Sequence, residues 1–187
     1  MSLKKLAIIL LASALLVLSA GALAGCGKSA DATIKDDMTR QLDGVKKMDG
    51  DFANSLVSAF STESFEVYGI DPAAFAQSYL QGFDYSIGEI KVDGDTATVE
   101  LTLTCKSYSA IKVAIGEATA ELNGSDEFAS LPHDEQYERI GQIVMEALDS
   151  ATPLETKPIT VRYTKKDDSW LPTDNTAQAI AKALRGN

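Results

Sequence analysis

The spacing of hydrophobic positions changes several times along the chain, and its first folded part has helical spacing. Apolar side chains recur every three or four residues from Thr33 to Met48, which predicts a first helix. Asp51 is a suitable N-cap for a second helix, and the segment 64–68 predicts one further helical turn. Asp71-Pro72 is typical of a helix start, because a capping carboxylate is followed by proline at the first helical position.

The segment 83–105 alternates with a period of two and predicts a β-hairpin. The alternation shifts by one residue at Gly88-Glu89, which indicates a β-bulge, and Asp93-Gly94 is a hairpin turn signal. The returning strand is regular, with one apolar and one polar face. Its apolar positions are Ala97, Val99, Leu101, Leu103 and Cys105, and its polar positions are Thr98, Glu100, Thr102 and Thr104.

Helical spacing returns in the segment 107–150, which predicts two helices as an insert. The first covers 107–122, and Pro132 begins the second after a loop. The predicted inward stripe of the second helix is Tyr137, Ile140, Val144, Ala147 and Leu148. A strand over 158–165, a charged turn at 166–169 and a last helix follow, and Trp170-Leu171 either forms a short strand or packs over the core.

These elements predict an α+β fold. It consists of short N-terminal helices, a bent antiparallel sheet with the hairpin 83–105, the helical insert 107–150, a final strand and a C-terminal helix. The final strand must pair across the insert to join the sheet. A bent sheet that cups a helix would form a cone, which could enclose a cavity.

The first 25 residues have the three parts of a secretory signal. Lys4 and Lys5 precede an uncharged apolar run over 6–18, and small residues fill most of 19–25. An uncleaved membrane helix over 6–25 is the alternative, but alanine, serine and glycine in its second half fill a bilayer poorly. The chain beyond this segment is therefore expected to be exported.

The quartet Leu23-Ala24-Gly25-Cys26 resembles the lipobox of bacterial lipoprotein precursors at all four positions. The resemblance implies lipid attachment to the Cys26 thiol, cleavage before Cys26 and acylation of the new amino terminus. Two or more acyl chains form a stable anchor. We therefore expect a removed signal over 1–25, a lipidated tether over 26–32 and one extracytoplasmic domain over 33–187, held at the outer face of the cell membrane.

A second resemblance concerns the fold. Tyr68-Gly69-Ile70-Asp71 before a helix, the run Val92-Asp93-Gly94-Asp95-Thr96-Ala97-Thr98-Val99, and Trp170 between the last strand and helix resemble the nuclear transport factor two-like fold. Small uncharacterised lipoproteins of Gram-positive bacteria use this cone-shaped fold. The resemblance covers 51–105 and 156–186, whereas the helices of 107–150 replace strands expected there. It implies no agreed activity.

Charge and residue counts exclude several kinds of site. The chain carries a net charge of −10, which does not suit nucleic acid as a partner. His133 is the single histidine, so a two-histidine metal site is excluded, and its place at a helix start suggests a solvated residue. Cys105 lies on the apolar strand face, where a thiol is inert. Asp93-Gly94-Asp95 lacks the spacing of a calcium loop. No catalytic, cofactor or metal residue is predicted.

The aromatic side chains of Tyr85, Tyr163 and Trp170 could line a pocket or fill the core. The favoured hypothesis is a non-enzymatic surface lipoprotein that binds an unknown protein, a wall polymer or a small ligand. One alternative is a small hydrolase or isomerase that uses the cone cavity. Another is an accessory lipoprotein of a transport system.

Overall fold

The computed structural model describes residues 29–48, 57–58, 61 and 63–184. Cys26 and the rest of the lipobox, the predicted cap Asp51 and the final residues 185–187 lie outside the described part. The helices are α1 (Ala30–Lys47), α2 (Glu63–Val67), α3 (Pro72–Leu80), α4 (Tyr108–Asn123), α5 (Asp126–Ala129), α6 (His133–Ser150) and α7 (Asp174–Leu184). The strands are β1 (Asp84–Asp93), β2 (Thr96–Cys105), β3 (Leu154–Glu155), β4 (Ile159–Lys166) and β5 (Ser169–Pro172).

The strands form one open antiparallel sheet in the order β1-β2-β4-β5, with β3 paired to the end of β2. This confirms the predicted α+β fold and the pairing of the last long strand across the helical insert. Of the two alternatives for Trp170-Leu171, the short strand β5 is the one formed. Strand β3 was not predicted, and the nuclear transport factor two-like cone is not confirmed.

The local predictions for the hairpin and for the helix start at Asp71-Pro72 are confirmed. The register between β1 and β2 shifts between Ile87 and Ile90, where the bulge was expected. The tight turn has Gly94 at a φ of +56°, a left-handed conformation that glycine adopts without strain. At the start of α3, the Asp71 carboxylate accepts a hydrogen bond from the backbone N–H of Ala74 at 2.7 Å.

Helices α1 and α7 cover one face of the sheet. Ile34, Met38, Leu42 and Val45 of α1 pack with the apolar face of β2 and β4, and Ile180 of α7 joins them. All five inward positions predicted for β2 are buried. The other face of the sheet carries Glu100 and neighbouring threonines, which stay exposed or half-buried.

The insert contains the two predicted helices, with α5 as an additional turn in the predicted loop. The predicted inward stripe of α6 is wrong in part, because Tyr137 is 41% exposed and the buried positions are Gly141, Ile143 and Leu148. Gly141 faces the backbone of Tyr68, so that the backbones of α6 and of the turn after α2 come into close contact at the glycine. No helix in the described ranges is long and apolar enough to cross a bilayer.

Candidate binding groove

The groove exists because the sheet edge beside β4 is only partly covered. Strand β5 pairs with the segment from Tyr163 to Lys166 and ends at Pro172. Beyond it, the backbone N–H of Thr173 donates to the carbonyl of Arg162 at 2.9 Å. The buried hydroxyl of Thr176 donates to the same carbonyl at 2.9 Å and accepts from the Arg162 N–H at 3.1 Å. The start of α7 therefore completes the edge at Arg162, and on the side away from β2 the earlier part of β4 has no described strand neighbour.

A short irregular connection forms the other side of the groove. In β3, Leu154 pairs with Cys105 at the end of β2. The next residue but one, Thr156, donates its N–H to the carbonyl of Leu103 at 2.7 Å, and its hydroxyl accepts from the Leu103 N–H at 3.1 Å. The Thr156 side chain thus replaces a backbone acceptor and holds the chain on β2 between β3 and β4.

A groove of about 580 Å³ lies between this connection, the start of β4 and the last turns of α7. Its apolar lining includes Cys105, Leu154, Ile159, Ala179 and Ala183. Leu154 is 62% exposed, so its side chain is accessible to a ligand of the groove. This volume lies within the range of about 300–1,000 Å³ that is common for ligand pockets.

Charged side chains occur at the same groove and are mainly basic. Lys157 and Lys182 both line it and are exposed, and Glu155 adds one negative charge. Because the whole chain has a net charge of −10, two lysines beside one groove are a local reversal of sign. The groove therefore suits an apolar ligand or segment that also carries negative charge.

Cys105 is a core residue, as predicted, and it also contributes to the groove lining. Its side chain is 7% exposed, and burial raises the pKa of the thiol. A thiol with a raised pKa holds little thiolate at neutral pH. Cys105 therefore supplies apolar surface to the groove and not a nucleophile.

Next to Cys105, Lys106 is a buried cation that the sequence analysis missed. Its side chain is 2% exposed, and its ammonium donates to the carbonyl of Leu148 at 2.8 Å and to the amide oxygen of Gln81 at 3.3 Å. Burial lowers the pKa of Lys106, and the nearby Asp149 opposes that shift. Since Leu148 lies in the last turn of α6, the lysine adds a charged donor to a carbonyl at the negative end of the helix dipole, which also accepts the Ala151 N–H at 3.3 Å.

The cluster around Lys106 joins the sheet to the helices, with a buried ammonium and two exposed polar partners, Gln81 and Asp149. The Ser78 hydroxyl of α3 donates to the Asp149 carboxylate of α6 at 2.5 Å. The Tyr79 hydroxyl is buried without a hydrogen-bond partner among the described residues, and burial raises its pKa. These contacts make the cluster a structural joint between α3, β2 and α6. Its one sequence signal is a lysine between a buried strand position and the N-cap Ser107.

The three aromatic residues predicted as pocket lining lie near the core and do not line the groove. Tyr163 is 2% exposed, and Trp170 is half-buried against the core. The Tyr85 hydroxyl donates to the Asp43 carboxylate at 2.8 Å, which ties β1 to α1. A separate pocket lined by these residues stays a prediction.

The one histidine and the acidic side chains lie as follows. His133 is the first residue of α6 and is exposed. Within the described ranges, no group of three or more histidine, cysteine, aspartate or glutamate side chains is arranged to hold a metal ion. The groove has a volume, an apolar lining and a local positive charge that suit a binding site.

Neither the protein-family models nor the curated proteins contain a match. Among solved structures, the chain is similar to a "putative lipoprotein" (ycdA) from Bacillus subtilis, with 17% sequence identity and a TM-score of 0.47. The alignment covers 84% of this chain and 48% of that chain, so this chain matches about half of the neighbour's length.

Proposed function

We propose that this protein is a lipid-anchored extracytoplasmic lipoprotein that acts as a non-enzymatic binding domain and uses the groove as its binding site. The observation that carries the proposal is the groove of about 580 Å³ with apolar lining and two exposed lysines. The four matching lipobox residues and the basic, apolar and small-residue segments before them support the anchor.

The direction of α1 relates the anchor to the groove. The C-terminal half of α1 lies beside the start of β1, because Lys46 pairs with Asp84 at 2.8 Å. The strand end at Asp84 pairs with Thr104, beside β3 and the groove. The N-terminal part of α1, which includes Asp37 near Tyr163, lies toward the hairpin turn.

The groove is therefore expected to face away from the membrane. Only three residues separate Cys26 from the start of α1 at Ala30, and they span at most about 11 Å. Helix α1 has 18 residues and is about 27 Å long. A ligand of the groove would thus approach from outside and not from the lipid surface below.

Site-specific photo-cross-linking on intact cells tests the binding role. A photoreactive phenylalanine analogue replaces Leu154, which lines the groove, or Val67, which is 47% exposed and is not among the groove lining residues. We expect a discrete adduct from position 154 and none from position 67. Equal patterns from both positions, or no adduct from position 154, would contradict a binding role for the groove.

The anchor is tested separately by Cys26→Ala. We expect the unsubstituted chain to take up lipid label and to begin at residue 26, and the substitution to abolish the labelling. An unsubstituted chain that is membrane-bound without lipid label and keeps its original amino terminus would instead show that residues 6–25 form an uncleaved membrane helix.

A further inference from the structure

The start of β4 has an open edge that can form backbone hydrogen bonds. In an antiparallel strand, alternate residues direct their N–H and C=O groups to opposite sides. Arg162 directs both groups away from β2, because Thr176 and Thr173 bind them. Thr160 has the same parity, so its N–H and C=O also point away from β2, toward the groove that Thr160 lines.

The sequence before Thr160 fits this arrangement. Pro158 precedes β4 directly, and because proline has no N–H, it leaves no unpaired donor next to the open edge. The edge therefore presents one donor and one acceptor, both from the backbone of Thr160.

The surroundings of this edge suit an added strand. Ala179 and Ala183 of α7 line the groove beside Ile159, and their small side chains leave space next to the strand. Lys157 and Lys182 add positive charge near the same edge. An extended peptide can combine backbone pairing with side-chain pockets in this way, whereas a small amphiphile has no use for paired edge groups.

We propose that the groove takes an extended peptide segment of a partner protein, which adds a strand to β4 at Thr160 and directs an acidic side chain toward Lys157 and Lys182. This inference rests on the proposed binding function and names the class of its ligand. The segment pairs in one register, with one of its residues forming both bonds to the backbone of Thr160. Alternating residues of the segment then lie against the apolar lining and in solvent.

A peptide selection tests this on the full lipidated chain in nanodiscs. The probe is a display library of random heptapeptides, counter-selected against the variant with Lys157→Glu and Lys182→Glu. We expect selected sequences in which apolar residues alternate with polar ones and at least one is acidic. A library that yields no binder dependent on the two lysines overturns the inference.

Strand pairing itself is tested with two N-methylated forms of a selected peptide. One form carries methyl groups on the odd-numbered backbone nitrogens and the other on the even-numbered ones. In an extended peptide, the methyl groups of one form lie on the edge that pairs with β4, and those of the other form point away from it. We expect one form to bind at least tenfold more weakly by fluorescence anisotropy and the other to bind like the parent. Equal affinities of both forms and the parent would show that the peptide does not pair as a strand.

A protein variant provides the complementary measurement. Thr160→Pro removes the N–H that points into the groove, and it leaves the pairing with β2 in place because that N–H points away from β2. We expect at least tenfold weaker peptide binding with an unchanged circular dichroism spectrum, and unchanged affinity would contradict the pairing. Should this variant fail to fold, the N-methylated peptides still decide the question.

Dodecanoate, titrated against the same nanodiscs, separates this inference from the proposed function. Binding of dodecanoate that is lost with Lys182→Glu, without any peptide binding, would overturn the peptide inference and leave the groove as a binding site. If neither dodecanoate nor any peptide bound and no cross-link formed at position 154, the proposed function itself would be overturned.

Discussion

Gly141→Ala is expected to destabilise the protein, because α6 lies against a backbone carbonyl at this position. A Cβ atom at Gly141 would lie 1.8 Å from the Tyr68 carbonyl oxygen and 3.0 Å from its carbonyl carbon. Neither is the end of a flexible side chain, so α6 and the Tyr68 turn must separate. The ring contact between Tyr68 and Tyr137, with centroids at 5.6 Å, would be disturbed as well.

The magnitude follows from two opposing terms. Overpacking of a close contact costs about 3 kcal/mol at the upper end of the usual range. Alanine gains about 1 kcal/mol over glycine within a helix. The free energy of unfolding should therefore fall by about 2 kcal/mol, which lowers the melting temperature by about 4–8 °C for a chain of this size.

Gly116→Ala is the matched control within α4. A Cβ atom there meets nothing within 4 Å, so the helix-propensity gain is unopposed. We expect this variant to gain about 0.5–1 kcal/mol in urea unfolding. If Gly141→Ala were stabilised to the same extent as Gly116→Ala, the close packing of α6 on the Tyr68 turn would be refuted.

Three further predictions concern buried hydroxyls and a helix cap. Tyr79→Phe should raise the free energy of unfolding by about 1 kcal/mol in urea melts, because the Tyr79 hydroxyl is buried without a described partner. A lower free energy of unfolding would instead show that the hydroxyl binds a water or a ligand. Burial raises the pKa of Tyr79 and Tyr163. Above pH ~10 these tyrosines therefore lose their protons in the unfolded chain before they do in the folded one. The free energy of unfolding then falls by up to about 1.4 kcal/mol per pH unit for each tyrosine. Tyr163→Phe should reduce that slope in urea melts between pH 10 and 11, and an unchanged slope would contradict it. Asp71→Ala should cost about 1 kcal/mol in thermal melts through loss of the bond to Ala74, and a Ser replacement should restore most of it.

The parts of the fold that the sequence predicts are those decided by neighbours along the chain. In β2, strict alternation identifies the buried face, since a slip of one residue would expose Val99 and Leu101 together. Asp71-Pro72 determines the start of α3 through a bond that spans three residues. The bulge before Ile90 shows as a change of parity within one strand. Each of these features is visible in a window of a few residues.

The remaining features depend on contacts between distant segments. Strand β3 has only two residues, and its pairing with Cys105 joins positions about fifty residues apart. Tyr137 fits the periodic stripe of α6, but the contact of Gly141 with Tyr68 determines which side of α6 is inward. Lys106 has the local pattern of a surface lysine, and its partners Gln81 and Leu148 come from distant segments. Hydrophobic periodicity contains no information on these pairings.

The groove follows from the same kind of long-range contact, and its construction separates binding from folding. Thr176 of α7 takes the edge position at Arg162 that a longer β5 would have taken, and the edge at Thr160 is left open as a result. Exposed surface substitutions usually change stability by less than about 0.5 kcal/mol, and Lys157 and Lys182 are exposed. Ile159 and Ala183, by contrast, pack against the core as well as line the groove. Charge changes at the lysines therefore report on recognition, whereas changes at Ile159 or Ala183 would alter recognition and stability together.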